Sequence, residues 1–242
     1  MGQKSIRSMR LDELLYIMQL AADGDNATEI ARRKGAGKLV ELLEAHQKKE
    51  ELFRNASKNG DLDEVRMYIR RGMNIDSRDP ENNQTALMFS ASQGHWLVLK
   101  ELLKRGADVD ARDKDGHTAL HLAAVSTAPK KILAKLVEYG SDVDAPSNSG
   151  RTPLYLATAH NRISALKALI ELGADVNFCP TSMKEQFIPL HVAAYNGYFL
   201  ATKLLVQSGS DYQWKSSNSQ TALSYAEEKN HEGIVQYLKS LI

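Results

Sequence analysis

Apolar and polar positions along this chain follow two registers that return together at a nearly fixed interval. The first is a short segment opening on Thr85-Ala86-Leu87, which recurs as Thr118-Ala119-Leu120, Thr152-Pro153-Leu154, Ile188-Pro189-Leu190 and Thr221-Ala222-Leu223. The start-to-start steps are 118−85 = 33, 152−118 = 34, 188−152 = 36 and 221−188 = 33. The second register is a longer segment with a one-sided apolar stripe. Leu97, Val98, Leu102 and Leu103 form it in one unit, and Leu200, Leu204, Leu205 and Val206 in another. That spacing is helical. A glycine closes each stripe: Gly72-Met73-Asn74-Ile75, Gly106-Ala107-Asp108-Val109, Gly140-Ser141-Asp142-Val143, Gly173-Ala174-Asp175-Val176 and Gly209-Ser210-Asp211-Tyr212. Each unit therefore predicts a helix, a tight turn, a second helix and a projecting hairpin.

The residues at fixed places explain the prediction. An opening Thr accepts from the free N–H groups of a first helical turn. Pro153 and Pro189 stand at the first helical position, where no N–H is needed. Small residues occupy the sixth place (Ala56, Ser90, Ala123, Ala157, Ala193, Ala226), so neighbouring first helices can approach closely. Gly60, Gly94 and Gly197 suit a left-handed turn at the tenth place, and Asn161 and Asn230 are the next-best residues for it. The third unit departs from this: Ser126-Thr127-Ala128-Pro129 replaces the inner glycine and carries one extra residue.

Thr118-Ala119-Leu120-His121-Leu122-Ala123-Ala124 and Gly106-Ala107-Asp108-Val109-Asp110 closely resemble the ankyrin repeat. The resemblance covers residues 50–242 in six units (50–84, 85–117, 118–151, 152–187, 188–220 and 221–242). It implies an all-α solenoid of stacked helix-turn-helix units with hairpin loops. Residues 1–48 are less regular. Leu11, Leu14, Leu15 and Met18 predict a helix over 10–21, and residues 28–43 resemble two helices of a degenerate unit. We read 1–48 as an N-terminal helical cap, with a separate helical piece as the alternative, and 49–242 as the repeat array. The hairpin between the fourth and fifth units is three residues longer than the rest. Its Phe178, Met183 and Phe187 either tuck against the next repeat or join a binding surface. The polar last unit, with Glu227, Glu228 and Lys239, suits a terminal cap.

Composition narrows the function. The formal net charge is +1, from 31 basic and 30 acidic residues. This gives no long-range field for nucleic acid or anionic lipid, although a local basic patch stays compatible with it. We expect neither nucleic acid nor membrane as partner. Gly2 is no myristoylation site on our reading, because Ile6 stands where Ser or Thr belongs. The single Cys179 excludes an internal disulfide and a cysteine-rich zinc site. It points to a reducing intracellular setting, cytoplasmic or nuclear. Gly35-Ala36-Gly37-Lys38-Leu39 lacks the first glycine and the hydroxyl residue of a phosphate loop. The histidines recur with the period, His121 and His191 at the fourth place and His95 and His231 at the eleventh. In the resemblance they are structural. Repetition sets them in a row about 10 Å apart, whereas a catalytic pair must be within hydrogen-bond reach. No cofactor, metal site or catalytic residue is expected.

The resemblance implies a non-catalytic module, adaptor, scaffold or inhibitor, that binds a protein through its concave face. The alternative is a targeting or regulatory portion of a larger signalling protein or enzyme. Ankyrin contacts come from hairpin tips, the residue before the opening Thr, and the eighth and ninth places. Here these supply Arg78, Arg112, Lys114, His117, Asn148, Arg151, His160, Tyr195, Asn196, Lys215 and Gln220 as candidates. Arg112, Arg151, His160 and Tyr195 lead; Arg and Tyr are the types most enriched in interface hot spots, and His160 stands at a ninth place. The mixture of cations and amides suits an acidic or polar peptide segment, bound by a monomer. Asn177 resembles the asparagine that oxygen-dependent hydroxylases modify in this family.

Overall fold

The computed structural model describes residues 27–33, 35–128, 130–179 and 186–242. The segment 10–21, Pro129 and Met183 lie outside them. Among the described residues there are thirteen α-helices and no strand.

Residues up to Phe53 form one contact unit and Arg54–Ile242 another. In the first unit, α1 (Ala27–Arg33) turns at Gly35 into α2 (Gly37–Asn59). Ala31, Ala36 and Leu39 make a small core with Ala27, Ile30, Val40 and Leu43 around it. Gln47 donates to the Thr28 hydroxyl at 3.1 Å. The glycines that evoked a phosphate loop are this interhelical turn. The sequence pattern suggested a seam near residue 48, yet one 23-residue helix runs through it. From Lys38 to Asn59 there is neither Gly nor Pro, and Leu, Glu, Lys, Gln and Ala are strong helix formers, so nothing ends the helix before Gly60.

The second unit begins on the tail of α2, followed by α3 (Leu62–Arg70). Then come helix pairs α4 (Ala86–Gln93) and α5 (Trp96–Lys104), α6 (Ala119–Val125) and α7 (Lys130–Glu138), and α8 (Pro153–Ala159) and α9 (Ile163–Glu171). α10 (Pro189–Tyr195) with α11 (Phe199–Gln207), and α12 (Ala222–Glu228) with α13 (Glu232–Lys239), complete it. The first helices stack on one another as an inner layer, α4 on α6, α6 on α8, α8 on α10, α10 on α12. The second helices stack likewise from α3 to α13 as an outer layer.

The core lies between these layers. All six small residues of the sixth place are buried, and so are Leu99, Leu102, Leu133, Leu136, Leu166 and Leu169 of the outer helices. Each such leucine contributes about 1.5–3 kcal/mol by leaving water. The local signals act as read. Thr85, Thr152 and Thr221 accept from Met88, Tyr155 and Ser224 N–H. Gly60, Gly94, Gly197, Asn161 and Asn230 all have positive φ.

Candidate functional site

The second, third and fourth units line an open cleft of about 460 Å³ where the inner helices meet the hairpins. His117 and Arg151, each just before an opening Thr, stand on one side with Asn148. His160 closes the other side, and Leu122, Val125 and Leu156 make its apolar floor. Four of the eleven sequence candidates thus converge on one place.

Local chemistry fixes each wall. Ser147 N–H donates to the Arg151 carbonyl at 3.0 Å, and Arg151 N–H donates to the Ser147 hydroxyl at 3.2 Å. The backbone is pinned, while the exposed guanidinium lies 5.7 Å from the centre of the Tyr155 ring. Among the described residues no carboxylate forms an ion pair with Arg151. The His160 Nδ1–H donates to the Leu156 carbonyl at 2.9 Å, which leaves Nε2 facing away from this bond. Buried His121 accepts from Thr118 N–H at Nδ1 (3.1 Å) and donates from Nε2 to the Arg151 carbonyl (3.0 Å). Burial pushes its pKa down to about 4, so the ring is neutral near pH 7.

The other periodic histidines also bond backbone. His191 Nε2 donates to the Trp214 carbonyl at 3.1 Å, His95 Nε2 to Lys58 at 2.8 Å and His231 Nε2 to Tyr195 at 3.1 Å. His95 and His231 tie one unit to another and His191 ties its helix to the hairpin of its own unit, rather than meeting in a shared pocket. Asp113, Asp115 and His117 bring potential metal ligands together. The Asp113 carboxylate, however, already accepts from the N–H groups of Asp115 (3.0 Å) and His117 (2.8 Å) and from the Gln84 amide (3.3 Å). It is a turn former.

Three tip candidates point elsewhere. Arg78 donates to the Arg112 carbonyl at 2.5 Å, and Arg112 donates to the Pro146 carbonyl at 2.7 Å. Lys114 donates to the carbonyls of Pro80 and Glu81. Asn148 donates to the Lys114 carbonyl at 2.9 Å while its own side chain rims the cleft. These groups lace consecutive hairpins together. Tyr195 is exposed, with the Lys229 ammonium 4.5 Å from its ring centre, and the Asn196 amide donates to the Val192 carbonyl. Lys215 lines a smaller cleft of about 280 Å³ with Tyr212, Leu223 and Ile242. Gln220 keeps a buried, unpartnered Oε1. Asn177 bridges two hairpins, donating to the Gly209 carbonyl (3.1 Å) and accepting from Asp211 N–H (2.8 Å).

The candidates omitted the apolar component of this face. Tyr155, Leu156 and Val192 form a cluster with Val125, Ala159 and Phe187. Phe187 does tuck against the next repeat, stacked on His191 and edge-on to Tyr225. The signal was present at the fifth place, where Leu122, Leu156 and Val192 are apolar in three successive units.

Antiparallel helix pairs in two stacked layers, linked by projecting hairpins, define an all-helical repeat solenoid. The family described as ankyrin repeats, in three copies, matches residues 53–147, 97–179 and 178–241, and this chain belongs to it. A stretch of 70 residues is 37% identical to the palmitoyltransferase AKR1 of Candida albicans, covering 29% of this chain and 8% of that protein. The chain therefore matches only a small part of that relative's length.

Proposed function

We propose that this chain is a non-catalytic interaction module that binds a partner protein along its inner-helix face. The cleft lined by the second, third and fourth units is the centre of that contact. The observation that carries this reading is the convergence of Arg151, His117 and His160 over the floor of Leu122, Val125 and Leu156. A desolvated apolar floor beside an unpaired cation is the arrangement of an interface hot spot. The matching segment is extended, with a carboxylate to meet Arg151 and an apolar side chain one or two residues away to fill the floor. Rigid stacking supports this, because a preformed face loses little entropy on docking.

A second reading has one observation behind it. The match to a palmitoyltransferase over a small part of its length favours a regulatory portion of a larger enzyme. Both readings share the binding face.

Affinity capture on purified chain, compared with two charge reversals, tests the proposal. Arg151→Glu should lose at least about ten-fold in captured partner with its thermal midpoint unchanged. Arg112→Glu should melt earlier, because its guanidinium holds the neighbouring hairpin. Capture that survives Arg151→Glu intact would place the contact elsewhere.

A further inference from the structure

The apolar floor of the cleft continues past its rim. Val125 and Leu156 belong both to the cleft and to the cluster that runs on through Ala159 and Val192 to Phe187. Tyr225 then joins Phe187 to exposed Tyr195 through edge-on rings at 5.1 and 6.1 Å. Val192 and Tyr195 lie three residues apart on α10, so they share a face. One connected apolar strip therefore crosses the inner layer from the third unit to the fifth. Charges along it fall in a fixed order. Exposed Asp115 stands at the second-unit end, and exposed Arg151 follows at the same wall one repeat on. Among the described residues neither side chain enters an ion pair. The other charges near the strip are met. Asp113 accepts from its own turn, and Lys114 donates to the carbonyls of the preceding hairpin. At the far end Lys229 pairs with Glu228 at 2.9 Å and Lys239 with Glu227 at 2.8 Å. The strip thus presents an unpaired anion, then an unpaired cation, then apolar surface.

We propose that the partner presents a linear segment that matches this order: a basic residue over Asp115, an acidic residue over Arg151, and a large apolar residue over Val192 and Tyr195. This rests on the inner-face reading of the cleft and adds the chemistry of the occupant. Order, rather than net charge, selects it. A wholly acidic segment sets a carboxylate against Asp115, and a wholly basic one sets a cation against Arg151. Neighbouring inner helices pack about 10 Å apart, and an extended chain advances about 3.3 Å per residue. The basic and acidic residues are therefore about three residues apart, with the acid between the base and the apolar residue. Val125 and Leu156 take the smaller apolar side chain next to the acid.

Selection of random dodecapeptides displayed on phage, against the immobilised full chain, tests it. Enriched peptides should carry Asp or Glu with Lys or Arg about three residues to one side and Phe, Tyr, Trp or Leu on the other. A synthetic copy of the leading peptide, followed by fluorescence anisotropy, should bind Arg151→Glu about ten-fold more weakly. Asp115→Lys and Tyr195→Ser should each weaken it about five-fold. Circular dichroism melts check folding. Where a variant melts early, serine in place of the matching peptide residue reads the same contact on the unaltered chain. Peptides that respond to Arg151→Glu but ignore Asp115→Lys or Tyr195→Ser overturn the proposed order and leave the cleft in place. Peptides that also ignore Arg151→Glu remove the cleft reading as well. A library from which nothing is enriched overturns the linear segment, and affinity capture then decides the cleft alone.

Discussion

His121 carries out three tasks with one ring: it receives the N–H that opens its helix, donates to the carbonyl of Arg151, and packs with no solvent exposure. Accepting at Nδ1 requires the neutral form, and burial favours it. The unfolded chain protonates this side chain around the ordinary 6.5, whereas burial holds the folded value at about 4. Between those values the unfolded state binds more protons, so stability is complete above the window and falls as pH drops through it. Urea midpoints measured at about pH 7.5 and about pH 5 should differ by roughly 2 kcal/mol in stability from this group. His191, also lowered chiefly by burial, adds to the same slope. A His121→Gln variant starts less stable at neutral pH and loses most of the dependence. An unchanged slope in that variant would show that the acid sensitivity comes from other groups. The role of His121 was legible because its place repeats. The role of Arg112 was not, because its acceptor is a backbone carbonyl 34 residues away, and a carbonyl leaves no mark in residue type.

At the level of elements, hairpins divide into those that touch a neighbour and those that only turn. Gly116 has φ +76°, and a Cβ there would stand 2.7 Å from the Asn148 backbone nitrogen and against the Asn148 side chain. Gly106 has φ +84° with nothing within 4 Å of the same position. Gly106→Ala should therefore cost about 1 kcal/mol for backbone strain alone. Gly116→Ala should cost at least about 2–3 kcal/mol, since the next hairpin must also move. Equal denaturant midpoints for the two variants would show that the hairpins are not in register. The helix ends show the same traffic between units. α6 lacks the inner glycine, and Arg162 of the next unit donates to the freed Val125 carbonyl at 2.7 Å instead. His95 and His231 serve the equivalent carbonyl in their own neighbours. The sequence showed that Ser126 broke the rule; only the packed helices show which side chain answers for it. The continuous α2 was missed for the opposite reason. Counting periods demanded a break, while the residues themselves, without Gly or Pro, asked for none.

For the array as a whole, each unit is held only by its neighbours, so local differences between interfaces set where it opens first. From the first to the third unit the hairpins are laced in series, Arg78 to Arg112 to Pro146 and Asn148 to Lys114, and Asp175 N–H on Asp144 and Asn177 with Gly209 and Asp211 carry the lacing on to the fifth. Farther along the interfaces carry unmet polar groups. The Thr118 hydroxyl lies 2.9 Å from His121 Nδ1, whereas Ile188 has no hydroxyl and His191 Nδ1 is buried without a partner, as are Trp214 Nε1, Thr202 Oγ1 and Gln220 Oε1, against Ser141 Oγ alone among the described residues of the third unit. An unsatisfied buried polar group costs about 1–3 kcal/mol. Outer helix α11 also leaves Leu200 largely and Phe199 partly exposed, as α5 leaves Leu97. The amides of α10 to α13 should therefore exchange hydrogen through an opening several kcal/mol cheaper than those of α4 to α9, on the order of one to two such groups. Native-state exchange at low denaturant measures this directly. Ile188→Thr, which restores a hydroxyl beside His191, should narrow the gap between the two blocks, and exchange that is uniform from α4 to α13 would mean that the stack opens as one cooperative body.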